Sequence, residues 1–400
     1  MTWQSLPLRD LYQVGSSKRV LKSQWKNQGV PFYRGREITR LAADGYVDNE
    51  LYISNEHYKE LAAKYGVPNA GDIVITAIGT IGNSHVVRES DQFYFKDASV
   101  LWLKKITDVS SEFVNLWLKS PLFFVQLDRG NGATVDTLTI QKLQSLTIDL
   151  PSLPEQNRIV SILDEAFEGI ATATANAEKN FANAREVFQS FLQSAFNQHS
   201  KRWVEKPLEM LCTFSSGGTP AKSNASYWNG NIPWVSGRDM KSTQLSDTAL
   251  HISRNAIDES STRMAPIGTL LMLVRGMGLA HGAQIAELIV PCAFNQDIKA
   301  IHPNSDIASR FLLFALRTRI NSSENVLSNA AHGTLKIDMN QLTRIDIPVP
   351  PLTEQQRIAQ QIDHLFTETQ RLESIFQQKL NALAELKKSI LHQAFSGQLH

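Results

Sequence analysis

The chain has 400 residues, 42% of them hydrophobic and 20% charged, which is an ordinary globular composition and enough length for two domains. No stretch reaches about 18 apolar residues, and the first ten residues lack the charged start and apolar run of a signal peptide, so we predict a cytoplasmic protein without a membrane partner. The net charge of +1 neither requires nor excludes nucleic acid. The first 40 residues, however, contain eight Lys and Arg against two acidic residues, which predicts a local basic surface.

The first 150 residues predict one domain of mixed strands and helices. Apolar runs such as GDIVITAI at 71–78 and SVLWL at 99–103 are bounded by glycine and polar turns, which is typical of buried strands. The segment SSEFVNLWLKSPLFFVQL at 110–127 has helical spacing. This mixture favours an α+β domain over residues 1–150.

A long helix is predicted directly after this domain, over residues 151–200. Between 154 and 197 apolar residues recur in steps of three and four without an interior proline, which is the pattern of a coiled-coil seam. About 44 residues at 1.5 Å each make roughly 66 Å of helix, too long to lie within one domain. We therefore predict a spacer helix, with seam residues Ile159, Leu163, Ile170, Ala173, Ala177 and Phe181.

The same unit is then repeated. Residues 151–164, PSLPEQNRIVSILD, return at 350–363 as PPLTEQQRIAQQID, and VPFYRGREI at 30–38 returns at 232–240 as IPWVSGRDM. Two copies predict a pseudo-twofold molecule whose helices pack as an antiparallel coiled coil, with small seam residues opposite large ones. Alternatively, each helix covers its own domain, or the seams mediate dimerisation. The second copy comprises an α+β domain at 201–350 and a spacer helix at 351–400, with seam residues Ile358, Ile362, Leu372, Phe376 and Leu380.

The sequence contains no motif that we interpret as catalytic. The Gly-rich loop and [DNS]PP[YFW] turn of DNA methyltransferases are absent, and so is the Gly-Lys dipeptide of a phosphate-binding loop. The segment GMGLAHG at 276–282 lacks GxGxxG spacing, and the ten histidines show no HExxH spacing. Cys212 and Cys292 have no counterparts in the first copy, so we expect free thiols and no metal. We predict a chain that is not an enzyme.

Basic and amide side chains occupy equivalent loop positions in the two copies. Arg36 and Arg238 each follow a predicted strand, and arginine can hold a phosphate or read guanine; the alternative is a surface ion pair with the acidic residue that follows. Asn295 and Gln296 carry amides suited to adenine. The candidate contacts to nucleic acid in the first copy are Lys18, Arg19, Lys22, Arg34, Arg36, Arg40, Asn83, Ser84 and His85. Those in the second copy are Thr219, Lys222, Ser236, Arg238, Lys241, Arg275, His281, Asn295 and Gln296.

These segments resemble the specificity subunit of type I restriction-modification systems. The resemblance is carried by GGTP at 217–220, YWNGNIPWVSGRDM at 227–240, IPVPPLTEQQRI at 347–358 and LHQAFSGQL at 391–399. It extends over nearly the whole chain, although the first copy reads VGSSKR where the second copy has the GGTP segment.

The resemblance implies two target-recognition domains that each read one half of a split double-stranded DNA site, with the helices setting the gap. It further implies two docked methyltransferase subunits that methylate adenine with S-adenosylmethionine, and restriction subunits that use ATP and Mg²⁺. Those cofactors belong to the partner subunits and none to this chain. The residues alone leave a second reading open, a tandem-repeat adapter that binds proteins and has no DNA specificity.

Overall fold

The computed structural model describes residues 3–128, 137–197, 203–323, 326–329 and 335–399. They form two compact units, one made of Met1–Glu178 with Gln377–His400 and the other of Lys179–Phe376. Each unit contains one α+β domain and part of each of two long helices, which confirms the predicted fold class. Within the described ranges, no helix is both long and apolar enough to cross a membrane.

The domain of the first unit consists of short strands and short helices. The strands are β1 (Gln4–Pro7), β2 (Tyr12–Gly15), β3 (Val30–Tyr33), β4 (Tyr52–Ile53), β5 (Ile73–Thr76), β6 (Ser84–Val86), β7 (Tyr94–Phe95), β8 (Val100–Lys105) and β9 (Thr147–Leu150). The helices are α1 (Gly35–Asp44), α2 (Asn55–Tyr65), α3 (Ser111–Leu118), α4 (Pro121–Asp128) and α5 (Ile140–Ser145). The segment at 110–127, which has helical spacing, forms two helices, because Pro121 has no backbone N–H to continue α3 and instead begins α4.

Three sheets organise this first domain. The largest has the strand order β2-β8-β5-β6 and is antiparallel throughout. A smaller sheet has the order β4-β3-β7, in which β3 and β7 run parallel. Strands β1 and β9 pair antiparallel and bring the two ends of the domain together. The main core lies between the larger sheet and α3, where Ile73, Leu103 and Phe113 are fully buried.

The domain of the second unit repeats this architecture. Its strands are β10 (Val204–Pro207), β11 (Cys212–Ser216), β12 (Ile232–Val235), β13 (Gln244–Leu245), β14 (His251–Ile252), β15 (Met264–Ala265), β16 (Leu270–Leu273), β17 (Ile285–Leu288), β18 (Cys292–Phe294), β19 (Ile298–Pro303), β20 (Leu327–Asn329), β21 (Leu335–Ile337) and β22 (Asp346–Val349). The sheet order β11-β19-β16-β17-β13 corresponds to β2-β8-β5-β6, and β14-β12-β18-β15 corresponds to β4-β3-β7. The short helices are α7 (Arg254–Asp258), α8 (Ser309–Asn321) and α9 (Met339–Thr343).

The two long helices are α6 (Leu153–Asn197) and α10 (Leu352–Phe395), and they pack antiparallel in each unit. In the first unit, Leu163 near the start of α6 shares a core with Leu391 near the end of α10. In the second unit, Phe188 near the end of α6 packs on Phe366 near the start of α10, with ring centroids 5.4 Å apart. The domain of each unit contributes to the contact in that unit, so each part of a helix is covered by the domain of its unit as well as by the other helix.

Most of the predicted seam residues face inward. Leu372 is the departure, since it is 41% exposed while Thr369, one turn earlier, is only 7% exposed. The inward position at this turn therefore belongs to a threonine, which the apolar pattern could not identify, and Leu372 lies at the rim of a groove beside Ala184 and Val187. The buried seam residues are Ile159, Leu163, Ala177, Ile358 and Ile362, and the partly buried ones are Ile170, Ala173, Phe181, Phe376 and Leu380.

Candidate nucleic-acid interface

Two loops of the second domain meet because the strands before them are parallel neighbours. Strand β12 pairs with β18, with Val235 opposite Phe294, so both strands end at the same edge. The loops that follow, at 236–239 and 295–297, are therefore adjacent, and the backbone N–H of Asn295 donates to the carbonyl of Val235 at 3.0 Å. Loops at the ends of parallel strands are a common place for ligand-binding groups, because the strands fix where each loop starts.

The segment GGTP at 217–220 forms a third loop at the same edge. The N–H of Gly218 donates to the carbonyl of Phe294 at 2.9 Å. A Cβ atom on Gly217 would lie 2.1 Å from that carbonyl oxygen, so the approach requires glycine. The indole N–H of Trp234 donates to the carbonyl of Gly218 at 3.1 Å and so fixes the loop to β12. Thr219 then faces loop 295–297, where its hydroxyl donates to Oε1 of Gln296 at 2.5 Å.

A fourth loop follows β16 and completes the cluster. The N–H of Val274 donates to the carbonyl of Asp297 at 2.8 Å, and Arg275 forms an isolated antiparallel bridge with Lys336. Arg275 and Lys336 are both exposed. We call the loops at 217–220, 236–239, 274–278 and 295–297 the second loop cluster. It brings together six of the predicted contacts, Thr219, Ser236, Arg238, Arg275, Asn295 and Gln296.

The acidic residue next to Arg238 in the second loop cluster is engaged elsewhere, so the Arg238 side chain stays available to contact a ligand. Asp239 accepts hydrogen bonds from the N–H of Ser236 at 2.9 Å, from the Ser236 hydroxyl at 2.8 Å and from the N–H of Ala249 at 3.1 Å. Its carboxylate thus holds its own loop rather than Arg238. The Arg238 guanidinium is exposed and makes no hydrogen bond or ion pair with the residues that the structure describes. Asn295, 8% exposed, likewise holds its loop by accepting from the N–H of Asp297 at 3.1 Å.

The first domain has an equivalent set of loops. Strand β3 runs parallel to β7 with Tyr33 opposite Phe95, and the N–H of Lys96 donates to the carbonyl of Tyr33 at 2.8 Å, as Asn295 does to Val235. The Ser17 hydroxyl donates to the carbonyl of Phe95 at 2.6 Å. We call the loops at 16–19, 77–80 and 96–99, together with Arg34 and the first turn of α1 at 35–37, the first loop cluster. It brings together the predicted contacts Lys18, Arg19, Arg34 and Arg36. Arg36 thus lies in the first turn of a helix and not in a loop as predicted.

Two arginines of the first loop cluster, Arg34 and Arg36, are neutralised by acidic partners. Glu37 is 3% exposed and accepts from Nη2 of Arg34 at 2.7 Å and from Nε of Arg36 at 2.5 Å. Arg36 also pairs with Glu50. Burial acts to raise the pKa of Glu37, but the hydrogen bonds from both arginines outweigh it and hold that pKa below its ordinary value. Arg36 therefore forms the surface ion pair that was its alternative interpretation, whereas Arg238 does not.

Ser84 and His85 are not in a loop, which corrects their placement from the sequence. They belong to β6, whose pairing with β5 buries them, and they are 0% and 6% exposed. The Ser84 hydroxyl donates to Oδ1 of Asn115 at 2.7 Å, and Nε2 of His85 lies 2.8 Å from Oδ2 of Asp91. Burial lowers the pKa of His85 despite that carboxylate. Both side chains are thus engaged within the domain, and Asn83 beside them donates to Thr80 and Thr39.

Most of the remaining predicted contacts lie on exposed loops or turns, whereas Arg40 lies in the middle of α1. Lys18 lies over the ring of Tyr65, 5.7 Å from its centroid. The side chain of His281 lies outside the described part of the chain. Sequence reasoning missed Lys96 and Lys336. Aligning AFNQDIK with YFKDASV could have found Lys96, since it occupies the place of Asn295, but Lys336 reaches Arg275 only through strand pairing. The exposed predicted contacts outside the loops already described are Lys22, Arg40, Lys222 and Lys241.

The described ranges offer no evident metal site. They contain no group of three or more His, Cys, Asp or Glu side chains that could hold a metal ion. Cys212 and Cys292 are buried free thiols, and burial raises the pKa of Cys212 to about 12 and that of Cys292 to about 11. Such thiols are protonated at neutral pH and are poor nucleophiles.

The repeated domains, their loop clusters and the long helices agree with a comparison against protein families. Residues 1–180 and 200–382 match the family described as the type I restriction modification DNA specificity domain, and the chain belongs to this family. The type I restriction enzyme EcoR124I/EcoR124II specificity subunit of Escherichia coli is 30% identical over 232 residues, 56% of each chain. A putative type I restriction enzyme specificity subunit of Haemophilus influenzae is 31% identical over 194 residues. The chain spans about half the length of these curated relatives.

Solved structures share the fold. A chain solved in work on complex assembly and conformational transition of the type I R-M system gives a TM-score of 0.79 at 19% identity, covering 100% of this chain and 98% of that one. The HsdS subunit from Thermoanaerobacter tengcongensis gives a TM-score of 0.62 at 17% identity, covering 100% and 97%. At these identities the likeness concerns the fold.

Proposed function

We propose that this chain is the DNA-specificity subunit of a type I restriction-modification complex, and that each domain reads one half of a bipartite double-stranded DNA site. The observation that carries the proposal is that equivalent strands in the two domains deliver equivalent loop clusters with exposed basic side chains, to which the second cluster adds an exposed amide, Gln296. Membership of the DNA specificity family supports DNA as their ligand. Phosphate contacts from the lysines would position each domain, and base contacts from arginine and amide groups would specify the sequence.

The proposed partners are two copies of a methyltransferase subunit, together with restriction subunits. One repeated surface supports a twofold partner. At the start of α6, Arg158 makes two hydrogen bonds to Glu155, at 2.8 and 2.7 Å, and at the start of α10 Arg357 makes the same pair with Glu354, at 2.9 and 2.6 Å. An exposed surface ion pair contributes little to stability. The same exposed chemistry on both copies of the repeat fits two copies of one partner.

In this proposal the chain contributes recognition and no catalytic group. S-adenosylmethionine would be bound by the methyltransferase subunits, where it supplies the methyl group for adenine, and ATP and Mg²⁺ by the restriction subunits. The two long helices would set the number of unspecified base pairs between the two half-sites. The protein-binding adapter is the less favoured alternative, because it gives no reason for Arg238, Arg275 and Lys336 to lie exposed at one strand edge.

The test is the methylome of cells that express this chain with its methyltransferase subunit. We expect methylation at a motif of two short specified segments separated by unspecified bases, about one helical turn between centres. A variant whose second domain has lost its sequence preference should lose one specified segment of the motif and keep the other. A single uninterrupted motif would contradict two-part reading, and methylation without any sequence preference would favour the adapter.

A further inference from the structure

The two domains carry a cation at the same place in an equivalent helix. Helices α3 and α8 both begin at the joint between the domain and its long helix, because the N–H of Ser110 and that of Ala308 each donate to a glutamine there. Nine residues later, about 13 Å along each helix, stand Lys119 in the first unit and Arg317 in the second. The two copies thus share a positive charge at this position, although most of the helix residues before it differ.

Neither cation has an acidic partner. Lys119 and Arg317 are partly buried, and their side chains make no hydrogen bond or ion pair with the residues that the structure describes. Burial lowers the pKa of both side chains, and a neighbouring cation lowers it further in each case, Lys387 in the first unit and Arg310 in the second. Buried charges in proteins are normally paired, because an unpaired charge loses hydration without compensation. The isolated chain therefore holds both charges at a cost in stability.

In the second unit, Arg317 lines a small cavity. The cavity has a volume of about 240 Å³, and Gln189 and Gln193, which lie one turn apart on α6, line it as well. Guanidinium and amide N–H groups are hydrogen-bond donors, and a guanidinium forms its strongest pairs with a carboxylate or a phosphate. A cavity of this size and chemistry suits a single oxyanion group.

In the first unit, Lys119 lines a larger cavity of about 660 Å³, together with Asn115 one turn earlier on α3. Acidic side chains line this cavity as well, namely Asp44, Glu89 and Glu112. None of the three forms an ion pair with Lys119 in the described part of the chain, and the neighbouring charge that acts on the pKa of Lys119 is that of Lys387. An oxyanion can therefore pair with this ammonium as it can with the guanidinium of Arg317.

We propose that Lys119 and Arg317 mark two equivalent docking sites, each of which takes a carboxylate side chain of one methyltransferase subunit. Two equivalent sites fit a partner that binds twice. Both cations lie on a helix that starts at the joint, which also carries the exposed pair of Glu155 with Arg158 and its repeat. Neither cation belongs to a loop cluster, so they are separate from the proposed contacts to DNA. This inference rests on the proposed function and adds the place and charge of the partner contact.

The experiment titrates the purified chain with its methyltransferase subunit and measures the number of copies bound by mass photometry and their affinities by calorimetry. The parent should bind two copies. Lys119→Gln and Arg317→Gln should each weaken the binding of one copy about tenfold or more, because the partner's carboxylate is left without its pair. The double variant should weaken both copies. Arg317→Glu should weaken one copy more than Arg317→Gln does, because two carboxylates then repel each other.

Matched controls replace exposed cations of the same two units, and the variants are Lys104→Gln and Arg344→Gln. Both should bind two copies with the affinities of the parent. The melting temperature of the isolated chain gives a second measurement. Arg317→Gln should melt at or above the temperature of the parent, because it removes an unpaired and partly buried charge. A lower melting temperature would indicate a structural role and contradict the inference.

The outcomes separate this inference from the function on which it rests. A parent chain that binds no methyltransferase subunit contradicts the proposed function. A parent that binds two copies, with Lys119→Gln and Arg317→Gln binding like the controls, contradicts only the docking role of the two cations. Variants that assemble fully but bind DNA more weakly than the parent would assign Lys119 and Arg317 to DNA phosphates, and this result would also contradict the inference.

Discussion

Gln355 joins the start of the second long helix to Ala308, whose N–H donates to Oε1 of the glutamine at 2.8 Å. The other end of the amide donates to the carbonyls of Pro350 at 2.8 Å and Asp306 at 2.9 Å. Gln156 does the same in the first copy, accepting from the N–H of Ser110 at 2.9 Å and donating to the carbonyl of Pro151 at 2.9 Å. The repeated glutamine of the joint is thus a buried link between each domain and its long helix.

Replacing Gln355 by Leu should destabilise the second unit by about 2 to 4 kcal/mol, because it leaves the partly buried N–H of Ala308 and two carbonyls without partners. The midpoint of urea unfolding measures this loss. The neighbouring Gln356 is exposed, and Gln356→Leu should change stability by less than about 0.5 kcal/mol. Equal effects of the two substitutions would show that the buried link is not important for stability.

Arg238→Ala should weaken specific DNA binding by about 1 to 3 kcal/mol and relax the preference at one position, because its guanidinium is free to reach a base. Arg36→Ala should cost less than about 1 kcal/mol, since Arg36 must first give up Glu37 and Glu50. Titration of the complex against a panel of single-base variants of the site measures both. The control is Arg254→Ala on α7, where Arg254 pairs with Asp258. If Arg36→Ala and Arg238→Ala both bind like the control, Arg36 and Arg238 are surface residues without a role in readout.

Lys336→Ala should weaken binding to all DNA sequences alike and lower the slope of log affinity against log salt concentration by about 1, because a phosphate contact releases about one counterion. The reason to choose Lys336 is its position beside Arg275 in the second loop cluster. Affinities for specific and unrelated DNA at several salt concentrations supply the measurement. Lys379 is exposed on the second long helix, and Lys379→Ala should leave the slope as it is. A sequence-dependent loss in Lys336→Ala would instead assign this lysine to base reading.

The first unit should become less stable as the pH falls below about 6.5, the ordinary pKa of histidine. Burial lowers the pKa of His85 in the folded state, so the unfolded chain binds the proton more readily and protonation favours unfolding. The stabilisation that comes from keeping His85 neutral is complete above the pKa of this histidine in the unfolded chain. It is lost as the pH falls towards the lower pKa that His85 has in the folded state. Melting temperatures between pH 7.5 and 5 should fall less steeply in His85→Gln than in the parent. The exposed His364→Gln is the control, and a parental slope in both variants would exclude His85 as the cause.

Local pattern was enough to predict the architecture. The joint PSLPEQNRI and its echo PPLTEQQRI differ little, so the duplication is plain, and steps of three and four residues identify the long helices because helical period is a local property. The inward position of Thr369 in place of Leu372 was not predictable in the same way. It depends on which side of α10 the neighbouring elements cover, and apolar periodicity does not contain that information.

The candidate interface was predictable only where a residue's environment is set by its neighbours in sequence. Arg36 and Arg238 look alike in the repeat, yet Glu50 from a distant loop pairs with the first, while Asp239 turns away from the second. Ser84 and His85 read as turn residues because the pairing of β6 with β5 is a tertiary event. Sequence periodicity contains no information about such contacts between elements. These contacts determine which side chains remain free to bind DNA.

The most direct test of the central claim is an exchange of residues 1–150 for the same segment of a family member that directs a different motif, followed by mapping of methylation in cells that also express the methyltransferase subunit. We expect one specified segment of the motif to change to that of the donor, while the other segment and the gap stay as in the parent. Change in both segments, or in neither, would contradict the claim that each domain reads one half of the site.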